Sequence, residues 1–179
     1  VYAYFPTFPG GTRANPAGLG DFQVDYQATW DDFRKVTRKH RPRAILSYGL
    51  GTGPWEIERA AVHWEVWHRD YRRPEQPGCF CGFSRTYADG ERVPLTLPAE
   101  AIADAVAKAV PSLAVWVDDV GDCGDFLCNY IAFLAADYRI RRGHCQVTGF
   151  VHVGPAVDVE TARKAHQATL QTVISHLDR

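Results

Sequence analysis

The stretch G-D-C-G-D-F-L-C-N-Y-I-A-F-L-A-A-D-Y, Gly121 to Tyr138, decides how the rest of the chain is read. Gly121, Asp122, Gly124 and Asp125 form a turn-forming cluster just ahead of an apolar pattern at helical spacing. Leu127, Tyr130, Ile131, Leu134 and Tyr138 fall on one stripe, which predicts a helix. Asp125 or Gly124 is expected to cap it, and this sets Cys128 in or near the first turn. Unpaired backbone N–H groups and the helix dipole favour an anionic side chain there, so Cys128 is a candidate nucleophile.

Working outward, strand-like and helix-like segments alternate. Upstream, Val1–Phe5 reads as a short strand stopped by Pro6 and Pro9, and Trp30–His40 as a helix with acidic residues first and basic residues last. Ala44–Leu50 reads as a buried strand entering a loop with Gly49, Gly51 and Gly53. From Glu58 to His68 the residues alternate with period two, a strand signal. Residues 69–92 are rich in Pro, Gly and charge. Pro98 opens a helix through Val110, and Leu113–Val117 is the strand that leads into the cysteine turn. Downstream, Gln146–Val153 is a strand ending at His152, followed by an amphipathic helix from Val159 to His176. Arg139, Arg141 and Arg142 read as a solvated helix end.

This order predicts an α/β fold, a three-layer α/β/α sandwich around a mixed, largely parallel central sheet, with residues 1–179 as a single domain. Reactive groups in such folds gather at the carboxyl ends of strands. Cys128, His152 and Glu58 each follow or end a different strand, so one sheet edge could hold a nucleophile, a base and an orienting carboxylate.

Bulk composition narrows the classes. The 46% hydrophobic and 23% charged content is that of an ordinary globular chain. A formal net charge of -1 offers no electrostatic case for nucleic acid or an anionic membrane. Five cysteines, an odd number, do not suggest a disulfide framework, so a reduced, cytoplasmic setting is the expectation. The chain opens on Val1 and not on Met, which is compatible with a trimmed start and an export signal. Cys79 and Cys81 with His63 and His68 lack a second ligand pair at zinc spacing, so no metal or other cofactor is expected.

Several segments, in order, resemble the pyroglutamyl peptidase I family of cysteine peptidases. G-D-C-G-D-F-L-C-N is similar to that family's S-x-D-A-G-x-Y/F-x-C-N, matching at Asp122, Gly124, Phe126, Cys128 and Asn129, with Cys123 replacing Ala. G-F-V-H-V-G-P at Gly149–Pro155 resembles G-F-I-H-V-P, and E-R-A-A-V at Glu58–Val62 resembles E-R-V-A-V. R-R-P-E-Q-P-G at Arg72–Gly78 is similar to R-I-P-D-N-x-G, and L-T-L-P-A-E-A-I at Leu95–Ile102 to T-T-L-P-V-E-A-I. F-P-T-F-P-G-G with Asn15 and Pro16 resembles F-x-P-F-G-G followed by N-P. The departures lie on the substrate side. Ala3 and Tyr4 replace Thr-Gly, Pro54 and Trp55 stand where the glycine loop usually has Arg, and His63 stands for Asn. The Cys79–Cys81 pair is foreign to the pattern.

The resemblance implies a Cys128–His152–Glu58 triad, Arg72 at the oxyanion, and a flat pyroglutamyl ring held by Phe5, Phe8 and Phe126 with Asn15. The implied partner is a peptide or small amide with an N-terminal pyroglutamyl group, and homo-oligomerisation is compatible with it. The implied reaction is hydrolysis of the amide after that group through a thioester. Two alternatives stay open: a related Cys-His-Glu enzyme acting on a different amide, ester or thioester, and a non-catalytic binding homologue.

Overall fold

The computed structural model describes residues 1–4, 25–68, 86–120 and 123–179. Its elements in chain order are α1 (Tyr26–His40), β1 (Ala44–Leu50), β2 (Trp55–Glu58), β3 (Ala60–Val62), β4 (Arg92–Pro94), α2 (Ala99–Ala109), β5 (Val115–Asp118), α3 (Leu127–Arg141), β6 (Val147–Val153) and α4 (Val159–Leu177).

Four strands make the central sheet in the order β1-β6-β2-β5, and β3 and β4 pair separately. β1 runs parallel to β6 and β2 parallel to β5, while β2 and β6 are antiparallel. The sheet is therefore mixed and mostly parallel, with helices on both faces, as the alternation predicts. One face carries α2 and α4, burying Trp55, Ile57, Ile102, Val106, Val151 and Ala165 in a shared core. The other carries α3, with Tyr26, Phe33, Tyr130, Phe133 and Phe150 in a second core to which α1 contributes. Among the described residues, no helix is long and apolar enough to cross a membrane.

Several local expectations need correction. Val1–Tyr4 forms no strand; Tyr2 stacks on His40 with ring centroids 3.7 Å apart, and the Tyr4 hydroxyl lies 2.6 Å from His40 Nε2. α1 begins at Tyr26, four residues before Trp30, because Asp25 caps it by accepting from the Ala28 N–H at 2.8 Å. The alternation from Glu58 to His68 is not one strand: the chain leaves the main sheet after Glu58, and β3 turns to pair with β4. α3 is buried over most of its circumference, since the sheet lies below it while α1, β3 and β4 flank it. Its expected single stripe is one part of that surface, and even Asn129 and Asp137 are fully enclosed.

Candidate active site

Strand register places the site. β2 pairs Glu56 with His152 of β6, β6 pairs His152 with Gly49 of β1, and β2 pairs Glu56 with Trp116 of β5. Gly49, His152, Glu56 and Trp116 thus form one row across the sheet, and because side chains alternate with period two, Glu58 shares their face. It is the face that α3 covers.

Glu58 lies 1% exposed and bonds through Oε1 to His152 Nδ1 at 2.6 Å. That bond leaves Nε2 for the Cys128 side, and Cys128 is a hydrogen-bonding neighbour of the same ring. Phe150 meets the imidazole edge-to-face with centroids 4.8 Å apart, which fixes the ring plane. Burial works against a charged His152, but hydrogen bonds and charge from Cys128 and Glu58 outweigh it and push the imidazole up to about 9. Burial also raises Glu58, helped by the charges of Glu56 and Asp118 and opposed by His152.

The glycines of β1 and its loop leave the room this arrangement needs. A Cβ on Gly49 would stand 2.7 Å from Cys128 Sγ and 2.6 Å from Phe150 Cζ, and one on Gly51 would stand 2.5 Å from His152 Cβ. Both positions exclude a side chain because the thiol and imidazole already occupy the space.

Cys128 is the second residue of α3. The N-cap is Phe126, with no side-chain capping bond, and not Asp125 or Gly124 as expected. The first α3 backbone bond runs from the Tyr130 N–H to the Phe126 carbonyl, so the Cys128 N–H precedes the helical ladder. The next residue anchors the turn. Asn129 accepts from the Val62 N–H at 2.8 Å and donates to the Val62 carbonyl at 2.7 Å, clamping α3 to β3. Asn129→Ala should strand both Val62 groups in a dry interior and lower unfolding free energy by about 2–4 kcal/mol, measured by urea titration. An unchanged midpoint would show that the clamp is replaceable.

The other sequence-selected residues divide. Phe126 packs against Tyr26 and His68, with centroids 6.1 and 5.6 Å away. Phe5, Phe8, Asn15 and Arg72 lie outside the described residues, as do Cys79 and Cys81. Tyr4 sits by His40, Trp55 is buried on the opposite face of the sheet, and the Trp64 indole donates to the Gly124 carbonyl at 3.0 Å. His63 stacks on Tyr87, its Nδ1 3.1 Å from the Ala88 carbonyl.

Sequence reasoning missed Glu56. Its carboxylate accepts from Trp116 Nε1 at 3.0 Å. One ligand atom each from Glu56, Glu58 and His152 lies within 4.8 Å of the others, and Glu58 and His152 are already joined there by a hydrogen bond. The signal was present in E-I-E, which puts both carboxylates on one face of a strand.

No protein-family model matches the sequence, and no curated protein does. Solved structures with this fold are found. A pyrrolidone carboxyl peptidase from Thermococcus litoralis superposes with a TM-score of 0.68 at 18% identity, covering 87% of this chain and 76% of that one. A mutant pyrrolidone carboxyl peptidase from the hyperthermophile Pyrococcus furiosus gives 0.69 at 16% identity, with 87% and 80% covered. The pyroglutamyl peptidase I of Bacillus amyloliquefaciens gives 0.66 at 20% identity, with 84% and 74% covered. The chain shares their fold.

Proposed function

We propose that the chain is a cysteine exopeptidase that hydrolyses the amide bond after an N-terminal pyroglutamyl residue. The observation that carries this reading is the buried Glu58–His152 hydrogen bond with Cys128 beside the same ring, set on the fold of pyroglutamyl peptidases. Cys128 Sγ gives its proton to His152 Nε2 and attacks the amide carbonyl carbon as thiolate, forming the C–S bond. As the C–N bond breaks, His152 delivers a proton from Nε2 to the leaving amine. His152 then takes a proton from water, the hydroxide oxygen adds to the thioester, and the thiolate leaves with free pyroglutamate as product. Glu58 holds the tautomer and balances the imidazolium.

The backbone N–H of Cys128, ahead of the α3 ladder, suits the developing oxyanion, and Arg72 is its proposed second donor. Phe5, Phe8 and Phe126 with Asn15 are the proposed ring pocket. A flat neutral lactam is recognised by aromatic faces and a few hydrogen bonds.

The deciding experiment assays the wild type on a pyroglutamyl anilide while measuring iodoacetamide labelling of Cys128. Turnover that is lost in step with labelling supports the peptidase reading. Fast labelling without turnover would replace it with a Cys-His-Glu enzyme for another acyl group. Absence of both would leave only a binding homologue.

A further inference from the structure

We propose that the C-terminal ends of α1 and α3 form a binding groove for an oligophosphate, far from the candidate active site. The groove has a volume of about 620 Å³ and is lined by Arg34, Arg38 and Arg41 on one side and by Arg141, Arg142 and Tyr138 on the other. Arg141 is neutralised by Asp137 at 2.8 Å. Among the described residues, Arg34, Arg38, Arg41 and Arg142 form no ion pair, although the whole chain has a net charge of -1. Two helix C-termini meet here, and together they supply roughly one negative charge, too little to offset four free guanidinium groups.

The backbone adds a second observation. Arg41 ends α1 in the left-handed region, with φ 44°, the lone non-glycine residue with positive φ among the described residues. Glycine or asparagine is favoured at such a position, so an arginine there spends stability to keep a cation at the groove mouth. Spacing indicates the ligand. Arg34, Arg38 and Arg41 follow one face of the helix over about 10 Å, which suits a linear chain of phosphates better than a single one. The charges of Arg41, Arg141 and Arg142 also converge on the Tyr138 hydroxyl, which marks the groove floor. Trp30 closes one end, with the Arg34 guanidinium 5.4 Å from its ring centroid. Since Arg142 lies fourteen residues along from Cys128, the groove is about 20 Å from the thiol.

Isothermal titration at fixed ionic strength tests this with inorganic triphosphate, orthophosphate, adenosine triphosphate and a hexaglutamate peptide. Triphosphate should bind at least tenfold tighter than orthophosphate. Arg38→Gln with Arg142→Gln should weaken it at least tenfold, whereas Arg163→Gln with Lys164→Gln, an equal charge change on α4, should alter it less than twofold. Arg41→Gly should weaken binding without lowering the melting temperature, because glycine suits the left-handed position and only the guanidinium is lost. Adenosine triphosphate binding at least as tightly as inorganic triphosphate would identify a nucleotide; weaker binding would identify the inorganic chain. Equal losses in the two double variants, tighter binding of hexaglutamate, or no heat at millimolar triphosphate would each overturn the assignment. Iodoacetamide labelling of Cys128 should be unchanged in all variants, so the outcome is independent of the peptidase reading.

Discussion

Cys128→Ala should abolish pyroglutamyl anilide hydrolysis, lowering kcat/KM by roughly 10⁴-fold or more while leaving the fold intact. The size of the effect follows from covalent catalysis: without sulfur no thioester forms, and neither His152 nor the backbone can substitute for it. The structural cost should be small, because Cys128 is only half-buried at the start of α3 and the change removes one atom. Melting temperature should move by no more than about 4 °C, the shift expected for roughly 1 kcal/mol or less in a chain of this length. Labelling supplies the control. Cys123 and Cys145 are each 3% exposed, and burial pushes the Cys145 thiol up to about 11, so neither should react with iodoacetamide at neutral pH in the native state. Peptide mapping of the labelled wild type should therefore find Cys128 and not those two. Retained turnover in Cys128→Ala would sink the nucleophile assignment.

The elements that position the site were legible because each rests on a local signal. The apolar spacing after the glycine turn gives α3, and the apolar runs give β1 and β6. Only β6 is buried: β1, expected to be buried, lies at the sheet edge, half-buried along its length with Leu50 exposed. His152 falls at a strand end because Gly154 and Pro155 stop the strand. Glu58 was legible from its place after a strand and from the resemblance, but its reach to His152 depends on an antiparallel β2–β6 pairing that no local pattern encodes. Sheet order is a long-range property. The same limit explains why the alternation after Glu58 read as one strand: period two reports a pleated chain but not its partner. Phe126 took the N-cap position because tertiary contacts with Tyr26 and His68, not a capping side chain, set where α3 starts. Glu56 went unnoticed for want of a motif, although its parity with Glu58 placed it beside the imidazole. The arginine groove was invisible for a different reason. Its two walls are some hundred residues apart in the chain, and each alone looks like ordinary compensation of a helix dipole.

The substrate-side departures bear differently on function once their positions are known. Tyr4, Trp55 or Trp64 filling the ring pocket would favour a reshaped site, and of the three Trp64 lies against the cysteine turn, its indole donating to the Gly124 carbonyl. Tyr4 is instead spent on His40 and Trp55 on the core beneath the opposite face. The glycine loop is altered in another way. A Cβ on Gly53 would stand 1.8 Å from the Trp116 ring, so that indole, which also donates to Glu56, closes over the loop. Trp116 and Glu56 thus lie in the same row of the sheet as His152, and they leave the Glu58–His152 hydrogen bond in place.

Glu58→Gln should lower kcat/KM at pH 7.5 by on the order of 10³-fold and should also move the pH profile, which separates an orienting role from a merely structural one. In the wild type His152 stands at about 9, above its ordinary value of 6.5. A raised imidazole contributes stability that is complete below pH 6.5 and is lost as pH rises through about 9, so both the fold and the proton supplied to the leaving amine should weaken along that alkaline limb. The wild-type rate should accordingly fall with a midpoint near 9. Glutamine has nearly the volume of glutamate and can still hydrogen-bond Nδ1, but it carries no charge to hold the imidazolium. Of the two partners that raise His152, only Cys128 then remains, while burial continues to favour the neutral ring. The alkaline midpoint of the variant should therefore drop by one unit or more, towards or below 6.5. Glu58→Asp should restore the charge but not the reach, recovering the midpoint better than the rate. A variant that loses rate with its alkaline midpoint still near 9 would mean that Glu58 does not govern the His152 proton, and the triad would reduce to a Cys128–His152 dyad.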